Sequence, residues 1–283
     1  MVSASDEDEW GRDWMMVKAL VFDIDGTLTV KKNQMSSMLR EKLQKLREQG
    51  MQIIMATGRP VTDLMAFQKE NCFFTPAVVL NGAAVLDDGE MSCCQYLQGD
   101  CVSRIMEQLV AHDLPFVCYQ KENNVVIDSS RGSYANVMQH YLPEANLQPL
   151  FESFVSYKAD TFDKERVLKI ETCFPDLQQI AHVRKQLLNI SGINVVRSMH
   201  FNLEMSDQQA NKGKKLLEYI HTLGIQKEEV LVFGDSENDI SMFNVFPHSV
   251  WVNNRQGHIL RAQYEARPCY EDGVYHFLND YFK

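Results

Sequence analysis

The feature that most constrains the fold of this chain is a short, mostly apolar segment that leads at once into a polar turn. The arrangement recurs at residues 18–22, 52–56, 77–80 and 230–233. Short apolar segments without alternation indicate strands that are buried on both faces. Such strands are typical of parallel sheets, because the helices that connect them cover both faces of the sheet.

Helical patterns separate these predicted strands. Residues 36–49 place apolar side chains at helical spacing before Gly50, and Pro60 suits the first turn of a helix that extends to about residue 71. The alternation resumes after residue 206, with a further strand at 249–252 and helices at 211–223, 258–266 and 273–282. The sequence therefore predicts an α/β fold with a Rossmann-like parallel sheet as its core.

The middle of the chain follows a different pattern. A hairpin is predicted near 84–97, with its turn at Asp87-Asp88-Gly89. Helices are then predicted near 100–112, 132–141 and 176–189, and strands near 115–119, 124–128, 166–173 and 194–205. We therefore expect an inserted α+β domain, which we call the cap, at 84–206, a core built from 16–83 and 207–283, and a disordered tail at 1–15.

Composition and charge exclude several classes of function. The chain has 283 residues, with 28 Lys and Arg against 38 Asp and Glu, for a net charge of -10. This acidic balance argues against nucleic acid and against an anionic membrane surface as partners. The seven cysteines include no C-x-x-C pair, and the acidic N-terminal segment does not have the pattern of a signal peptide. We therefore expect a cytoplasmic protein with reduced thiols.

Two carboxylates follow the first predicted strand directly, in the sequence Asp23-Ile24-Asp25-Gly26-Thr27. Ligands of open α/β sheets bind at the carboxyl ends of the strands, where this segment is expected to lie. Carboxylates this close resist joint ionisation unless a cation neutralises them or one of them keeps its proton. An isolated Asp-x-Asp also fits a solvated loop, so the prediction depends on the strand that precedes it. We expect a hard divalent cation, a general acid, or both at this position.

Two further segments are candidate phosphate sites. Thr57 and Gly58 follow the predicted strand 52–56 and can offer a hydroxyl group and a backbone N–H to an anion. Lys212 lies at the start of a predicted helix, where its charge opposes the helix dipole. Phosphate binding would explain a lysine at such a position, although Lys212 alone also fits a solvated surface lysine.

The last of these segments is Gly234-Asp235-Ser236-Glu237-Asn238-Asp239, which follows the predicted strand 230–233. Asp235 can add a carboxylate to a metal site, and Asn238 and Asp239 can orient the metal ligands or Lys212. Each segment alone also fits an ordinary turn. Together they place a nucleophile, an acid, metal ligands and a cation in one repeated structural context.

These segments together resemble the four motifs of the haloacid dehalogenase (HAD) superfamily of phosphatases, which use an aspartate as nucleophile. The resemblance covers most of residues 16–283. A large α/β cap between the second and third motifs is similar to that of the Cof-like subfamily. Three further segments resemble that subfamily, namely Asn81-Gly82-Ala83, Leu203-Glu204-Met205 and Glu271-Asp272-Gly273-Val274.

The resemblance implies a Mg²⁺-dependent phosphatase that hydrolyses small phosphorylated metabolites, such as sugar phosphates or similar phosphomonoesters. It implies that Asp23 forms an aspartyl-phosphate and that Asp25 acts as general acid and then general base. Mg²⁺ would bind Asp23, the backbone carbonyl of Asp25, and Asp235. The phosphate oxygens would be held by Thr57, Gly58 and Lys212.

Two alternatives stay open. A phosphomutase of the same superfamily, acting for example on hexose phosphates, would share every core motif, and a non-enzymatic phosphate-binding protein would keep the anion site. A receiver domain fits less well, because it has neither the insert nor the second aspartate. Within the cap, several residues could face a substrate, although exposed charges there are more often only solvated: Arg131, Lys158, Asp160, Lys164, His200 and Asn202. The sequence leaves the substrate and the oligomeric state open.

Overall fold

The fold is that of a computed structural model of the chain. The structure describes residues 17–29, 33–143, 147–254 and 262–282. The predicted tail at 1–15 lies outside these residues. The chain divides into two compact units. Of the described residues, those within 1–57, 67–77 and 212–283 form the first unit, and those within 58–66 and 78–211 form the second. The domain boundaries that the sequence predicts, at 83–84 and 206–207, stay predictions.

The first unit is built on parallel strands. In sheet order these are Tyr264–Ala266 (β14), His248–Val252 (β13), Val230–Gly234 (β12), Ala19–Phe22 (β1) and Gln52–Ala56 (β2). The numbering follows the chain, and the strands between β2 and β12 are given below. All four residues of β1 are buried, as are all five of β12, which agrees with the predicted parallel sheet covered on both faces.

The helices of the first unit begin and end where the local sequence favours it. Helix Ser37–Glu48 (α1) is capped by Ser36, whose side chain accepts a hydrogen bond from the N–H of Leu39. Its buried side chains, Leu39, Leu43 and Leu46, form one stripe. The other helices of this unit are Lys212–Thr222 (α7), Ile240–Val245 (α8) and Gly273–Tyr281 (α9). Helix Val61–Glu70 (α2) and strand Ala77–Val79 (β3) each contain a boundary between the units.

The second unit contains a mostly antiparallel sheet. Its strands, in sheet order, are Ile193–Val196 (β10), Asn202–Asp207 (β11), Val167–Cys173 (β9), Phe116–Gln120 (β6), Asn124–Ile127 (β7) and Phe154–Ser156 (β8). Only β7 and β8 pair in parallel among these. A hairpin of Ala84–Asp87 (β4) and Glu90–Ser92 (β5) turns at Asp88 and Gly89, both with positive φ.

Four helices complete the described part of the second unit: Gly99–Ala111 (α3), Tyr134–Tyr141 (α4), Gln148–Glu152 (α5) and Ile180–Leu187 (α6). Side chains of α3 and α6 join those of β6, β9 and β11 in one apolar core. None of the helices in the described ranges has the length and hydropathy needed to span a membrane.

Two predicted elements are wrong. The predicted strand 194–205 is a hairpin of β10 and β11, because residues 197–201 turn the chain. Residues 258–261 of the predicted helix 258–266 lie outside the described residues, and its end is the strand Tyr264–Ala266. In that strand Glu265 is exposed and Ala266 is buried, as the alternating side chains of an edge strand require.

Candidate active site

A lysine between two carboxylates forms the centre of the candidate site. The Nζ atom of Lys212 lies 2.6 Å from Oδ1 of Asp23 and 2.7 Å from Oδ1 of Asp239. All three side chains are buried, and Lys212 and Asp239 are 0% exposed. Lys212 is therefore not a solvated surface lysine, which was the alternative interpretation of its position in the sequence.

The parallel sheet brings these residues together. Asp23 follows β1 and Asp235 follows β12, and the two strands pair in register up to Phe22 and Phe233. The N–H of Asp23 also donates to the carbonyl of Phe233 at 3.0 Å. The two aspartates therefore leave the same edge of the sheet side by side, at the carboxyl ends of their strands.

A tight turn after Asp23 leaves no room for a side chain at Gly26. Gly26 has a φ of 81°, and a Cβ atom there would lie 2.2 Å from Oδ2 of Asp235. The hydroxyl of Thr27 donates to Oδ1 of Asp235 at 3.4 Å. Unlike the buried Asp23, Asp25 is exposed. The glycine thus allows the first motif to pack directly against the aspartate of the fourth.

Asp239 orients both Lys212 and the turn that carries Asp235. Its Oδ2 accepts hydrogen bonds at 3.0 Å from the backbone N–H groups of Asp235 and Ser236. Gly234 is packed against the same carboxylate, since a Cβ atom there would lie 2.5 Å from Cγ of Asp239. Asn238 is also buried, and its Oδ1 accepts a hydrogen bond of 2.6 Å from the hydroxyl of Ser236.

Asn254 contacts the same site, although no motif in the sequence points to it. Its Nδ2 donates to Oδ2 of Asp235 at 2.9 Å and to the carbonyl of Gly26 at 2.6 Å. One amide therefore links the first and fourth motifs. The signal available in the sequence was only a polar residue shortly after the strand β13, which is too common to be informative.

The electrostatics of the site follow from crowded, buried carboxylates. Burial raises the pKa of Asp23 well above its usual range, Lys212 opposes this effect, and the charges of Asp239, Asp235 and Asp25 add to it. Burial and the charge of Asp239 raise the pKa of Asp235 to about 7. Burial alone would lower the pKa of Lys212, but Asp23 and Asp239 outweigh that effect and raise it. The lysine is therefore a fixed cation, and it does not fully compensate its acidic neighbours.

The donor atoms of this cluster fit a hard cation. One carboxylate oxygen each from Asp23, Asp235 and Asp239 lies within 4.8 Å of the others. Oxygen ligands from carboxylates suit Mg²⁺ or Ca²⁺ better than a soft metal. Both oxygens of Asp239 accept hydrogen bonds of 3.0 Å or shorter, from Lys212 and from backbone N–H groups. Oδ1 of Asp235 accepts a longer bond of 3.4 Å from Thr27, so Asp23 and Asp235 are better placed to bind a metal.

The remaining predicted phosphate ligands follow β2. Thr57 is buried at the end of that strand, which pairs in parallel with β1. Gly58 follows Thr57 in the chain and belongs to the second unit. Its carbonyl oxygen accepts a hydrogen bond of 2.8 Å from Nζ of Lys169, which also lies outside the motifs of the sequence.

The candidate residues of the cap do not form one site. Five of them are exposed, and two of these, Arg131 and Lys164, pair with surface aspartates. His200 packs its ring edge against Tyr141. Asn202, in contrast, is fully buried and donates to Oε1 of Glu171 at 3.1 Å. The five exposed residues are Arg131, Lys158, Asp160, Lys164 and His200.

Comparison with known proteins identifies the family. The sequence profile of haloacid dehalogenase-like hydrolases matches residues 20–278. The chain belongs to this family. This match confirms the predicted superfamily and the prediction that the chain is a hydrolase.

Three relatives of this haloacid dehalogenase-like hydrolase illustrate the range of the family. The pyridoxal phosphate phosphatase YbhA of Escherichia coli is 27% identical over 251 residues, which cover 85% of this chain and 89% of the relative. The 5-amino-6-(5-phospho-D-ribitylamino)uracil phosphatase YwtE of Bacillus subtilis is 22% identical, over 93% and 97% of the two chains. A haloacid dehalogenase-like hydrolase structure from Bacteroides thetaiotaomicron has a TM-score of 0.76 at 27% identity, over 93% and 99% of the two chains. The predicted α/β fold with a parallel-sheet core is confirmed.

Proposed function

We propose that the chain is a Mg²⁺-dependent phosphatase that hydrolyses small phosphorylated metabolites through an aspartyl-phosphate. The observation that carries the proposal is the buried contact of 2.6 Å between Asp23 and Lys212, with Asp235 beside them at the edge of the sheet. It offers a carboxylate nucleophile, a fixed cation and a second carboxylate ligand in one place. Phosphoryl transfer needs mainly such positioning and charge stabilisation.

Asp23 and Asp25 would divide the covalent chemistry between them. A carboxylate oxygen of Asp23 attacks phosphorus and forms the acyl phosphate, while the bond to the leaving oxygen breaks. Asp25 gives its proton to that oxygen, and the alcohol departs. A water molecule then attacks the phosphorus and transfers a proton to Asp25, which restores both carboxyl groups and releases phosphate. The exposure of Asp25 suits this role, because it must reach a leaving group and a water molecule.

Mg²⁺ would be held by Asp23, Asp235 and the backbone carbonyl of Asp25. When bound, it supplies positive charge that keeps the crowded carboxylates ionised and compensates the phosphoryl oxygens. The raised pKa values of Asp23 and Asp235 support a cation at this position, because a nearby positive charge favours the ionised form of each carboxyl group.

Lys212, Thr57 and Gly58 would bind the phosphate oxygens. Lys212 is already fixed by two carboxylates, so little reorganisation is needed when charge develops on phosphate. Asn238 and Asp239 would support the turn of Asp235.

The seven free cysteines support the cytoplasm as the compartment of the protein, because thiols stay reduced there.

The test is turnover of p-nitrophenyl phosphate by the purified chain, with Mg²⁺ and with EDTA. We expect activity that requires Mg²⁺ and that is lost in Asp23→Asn, which keeps the side-chain shape but not its charge. Asp100→Asn, at a carboxylate that is 99% exposed, is the matched control and should leave turnover unchanged. Activity of the Asp23→Asn variant equal to that of the parent would refute the proposal.

The substrate and the competing mutase reaction need separate measurements. Pyridoxal phosphate and 5-amino-6-(5-phospho-D-ribitylamino)uracil, the compounds in the names of two relatives, should be compared with a series of sugar phosphates at fixed Mg²⁺. The outcome that supports a phosphatase is release of inorganic phosphate. Interconversion of hexose 1- and 6-phosphates without release would indicate a phosphomutase instead.

A further inference from the structure

A buried charge network in the second unit surrounds Gly58. Nζ of Lys169 donates to the carbonyl of Gly58 at 2.8 Å, to Oε1 of Glu204 at 2.8 Å and to Oε2 of Glu171 at 3.0 Å. Oε2 of Glu204 accepts a hydrogen bond of 2.6 Å from Nδ2 of Asn81. The three charged side chains are almost fully buried, at 1% exposure for Lys169, 4% for Glu171 and 3% for Glu204.

The same network packs against the α-carbon of Gly58. A Cβ atom at this position would lie 2.9 Å from Oδ1 of Asn81 and 3.3 Å from Oε2 of Glu204. Asn81 itself has a left-handed backbone, with a φ of 58°, and its amide is held by Glu204. Gly58 is therefore confined by side chains on one side and fastened by Lys169 at its carbonyl.

Holding the carbonyl of Gly58 also fixes the next peptide group. Because a peptide unit is planar, the N–H of Arg59 points away from the carbonyl that Lys169 holds. The carbonyl of Arg59 is fastened in turn, since it accepts a hydrogen bond of 3.2 Å from the N–H of Leu80. A glycine would otherwise have the widest backbone freedom of any residue. Two successive carbonyls of this segment are thus fixed within the second unit.

Stability alone is a poor explanation for such a buried network of charges. Buried ion pairs often contribute little to the stability of a fold, because desolvation offsets the attraction between the charges. Burial raises the pKa of Glu204, and Lys169 opposes this effect only in part. Burial would also raise the pKa of Glu171, but Lys169 and Asn202 outweigh it and lower the pKa. The network is held together because the ammonium group of Lys169 hydrogen-bonds to both carboxylates, Glu171 and Glu204.

We propose that Lys169 and Glu204 are positioning residues for the phosphate-binding segment, with Lys169 holding the Gly58 carbonyl and Glu204 holding Lys169 and Asn81. This inference rests on the proposed function, in which the Gly58 N–H binds a phosphate oxygen. Lys169 lies on strand β9 and Glu204 lies on strand β11, so both strands would contribute to phosphate affinity. This positioning role is separate from the proposed catalysis by the aspartates and from the binding of the cation.

The deciding variant is the double substitution Lys169→Met with Glu204→Gln. It removes one cation and one anion together, so the formal charge of the buried network does not change. The probe is inorganic phosphate, with its Kd measured by calorimetry at saturating Mg²⁺. We expect the Kd to rise about tenfold or more, because the lost hydrogen bonds to charged groups are among the strong ones. The Mg²⁺ concentration for half-maximal activity should stay the same.

Two further variants separate positioning from folding. Lys169→Arg keeps the charge and the donor, so it should retain most of the phosphate affinity. Asn202→Ala removes a side chain that is buried as deeply and that contacts Glu171 but not Gly58. We expect this control to lower the Tm while leaving the phosphate Kd unchanged. If the double variant does not fold, Glu204→Gln alone should still raise the phosphate Kd. This substitution keeps the size and shape of the side chain at position 204 but weakens its hydrogen bond with Lys169.

The outcomes distinguish the inference from the function on which it rests. A chain that hydrolyses phosphomonoesters, and whose folded Glu204→Gln and double variants bind phosphate as tightly as the parent, would overturn the inference alone. A parent chain without Mg²⁺-dependent turnover would refute the proposed function first. A raised phosphate Kd with an unchanged Mg²⁺ requirement supports the inference.

Discussion

Asp23 and Lys212 form an ion pair of 2.6 Å although they lie 189 positions apart in the sequence. The pair is buried, so neither charge can be removed without leaving the other in a dry environment. Asp239 holds the other side of the same ammonium group. The lysine is therefore fixed in position between two carboxylates, and its charge is not free to move toward solvent.

We predict that Lys212→Met destabilises the chain and reduces turnover together. Removing one partner of a buried ion pair costs about 3–5 kcal/mol, because the remaining carboxylates lose their compensating charge. Lys214→Met, on the exposed face of the same helix, should change neither property by much. Urea unfolding and phosphatase kinetics measure the two effects. A Lys212→Met variant with parental stability would contradict the buried geometry.

The core of this site was predictable from sequence because the sheet determines it. Asp23, Thr57 and Asp235 each follow a short apolar strand, and parallel strands bring their carboxyl ends to one edge. The wrong elements lacked such signals. The turn at 197–201 has no Gly or Pro and is closed instead by side chains, with Asn202 accepting from the N–H of Met199 at 2.9 Å.

Other parts of the site depend on distant partners that no local pattern reveals. Asn254 contacts Gly26, 228 positions away, and Lys169 contacts Gly58, 111 positions away. A single polar residue on a strand or after it has many possible partners. Only the folded arrangement shows that Glu204, which the sequence marked as part of a family motif, belongs to the same network as Lys169.

We predict that the effect of Asp25→Asn depends on the leaving group. The variant keeps the backbone carbonyl that would bind Mg²⁺ but loses proton transfer, which is typically worth about 10²–10⁴-fold in rate. A nitrophenolate leaves without needing a proton, whereas a sugar alkoxide does not. The loss in kcat/KM should therefore be much larger for a sugar phosphate than for p-nitrophenyl phosphate. Equal losses for the two esters would refute the role of Asp25 as general acid.

We predict that Gly26→Ala is far more damaging to activity than Gly224→Ala. Both glycines have positive φ, so each substitution costs about 1–2 kcal/mol of backbone strain. A Cβ at Gly224 would meet nothing within 4 Å, but one at Gly26 would lie 2.2 Å from Oδ2 of Asp235. Asp235 must then move, so the Mg²⁺ requirement should rise in Gly26→Ala only. Mg²⁺ titrations of activity in both variants measure this, and equal Mg²⁺ requirements would count against Asp235 as a ligand.

We predict that Mg²⁺ stabilises the chain more at pH 8 than at pH 5. The pKa of Asp235 is raised from 3.8 to about 7, first by burial and then by the charge of Asp239. A carboxyl group with a raised pKa contributes stability that is fully present below its unfolded pKa and is lost as pH rises through its folded pKa. Without metal, this group therefore makes the chain less stable as pH rises from about 4 to about 7.

We expect Mg²⁺ to reverse that trend, because its binding to the ionised carboxylate would compete with the proton. Its stabilising effect on the Tm should thus be small at pH 5, where Asp235 is protonated, and large at pH 8. Thermal unfolding with Mg²⁺ and with EDTA at both pH values tests this. In Asp235→Asn the carboxylate is absent, so the metal-induced rise in Tm at pH 8 should largely disappear. A metal-induced rise of equal size at the two pH values in the parent chain would show that the ion binds elsewhere than at Asp235.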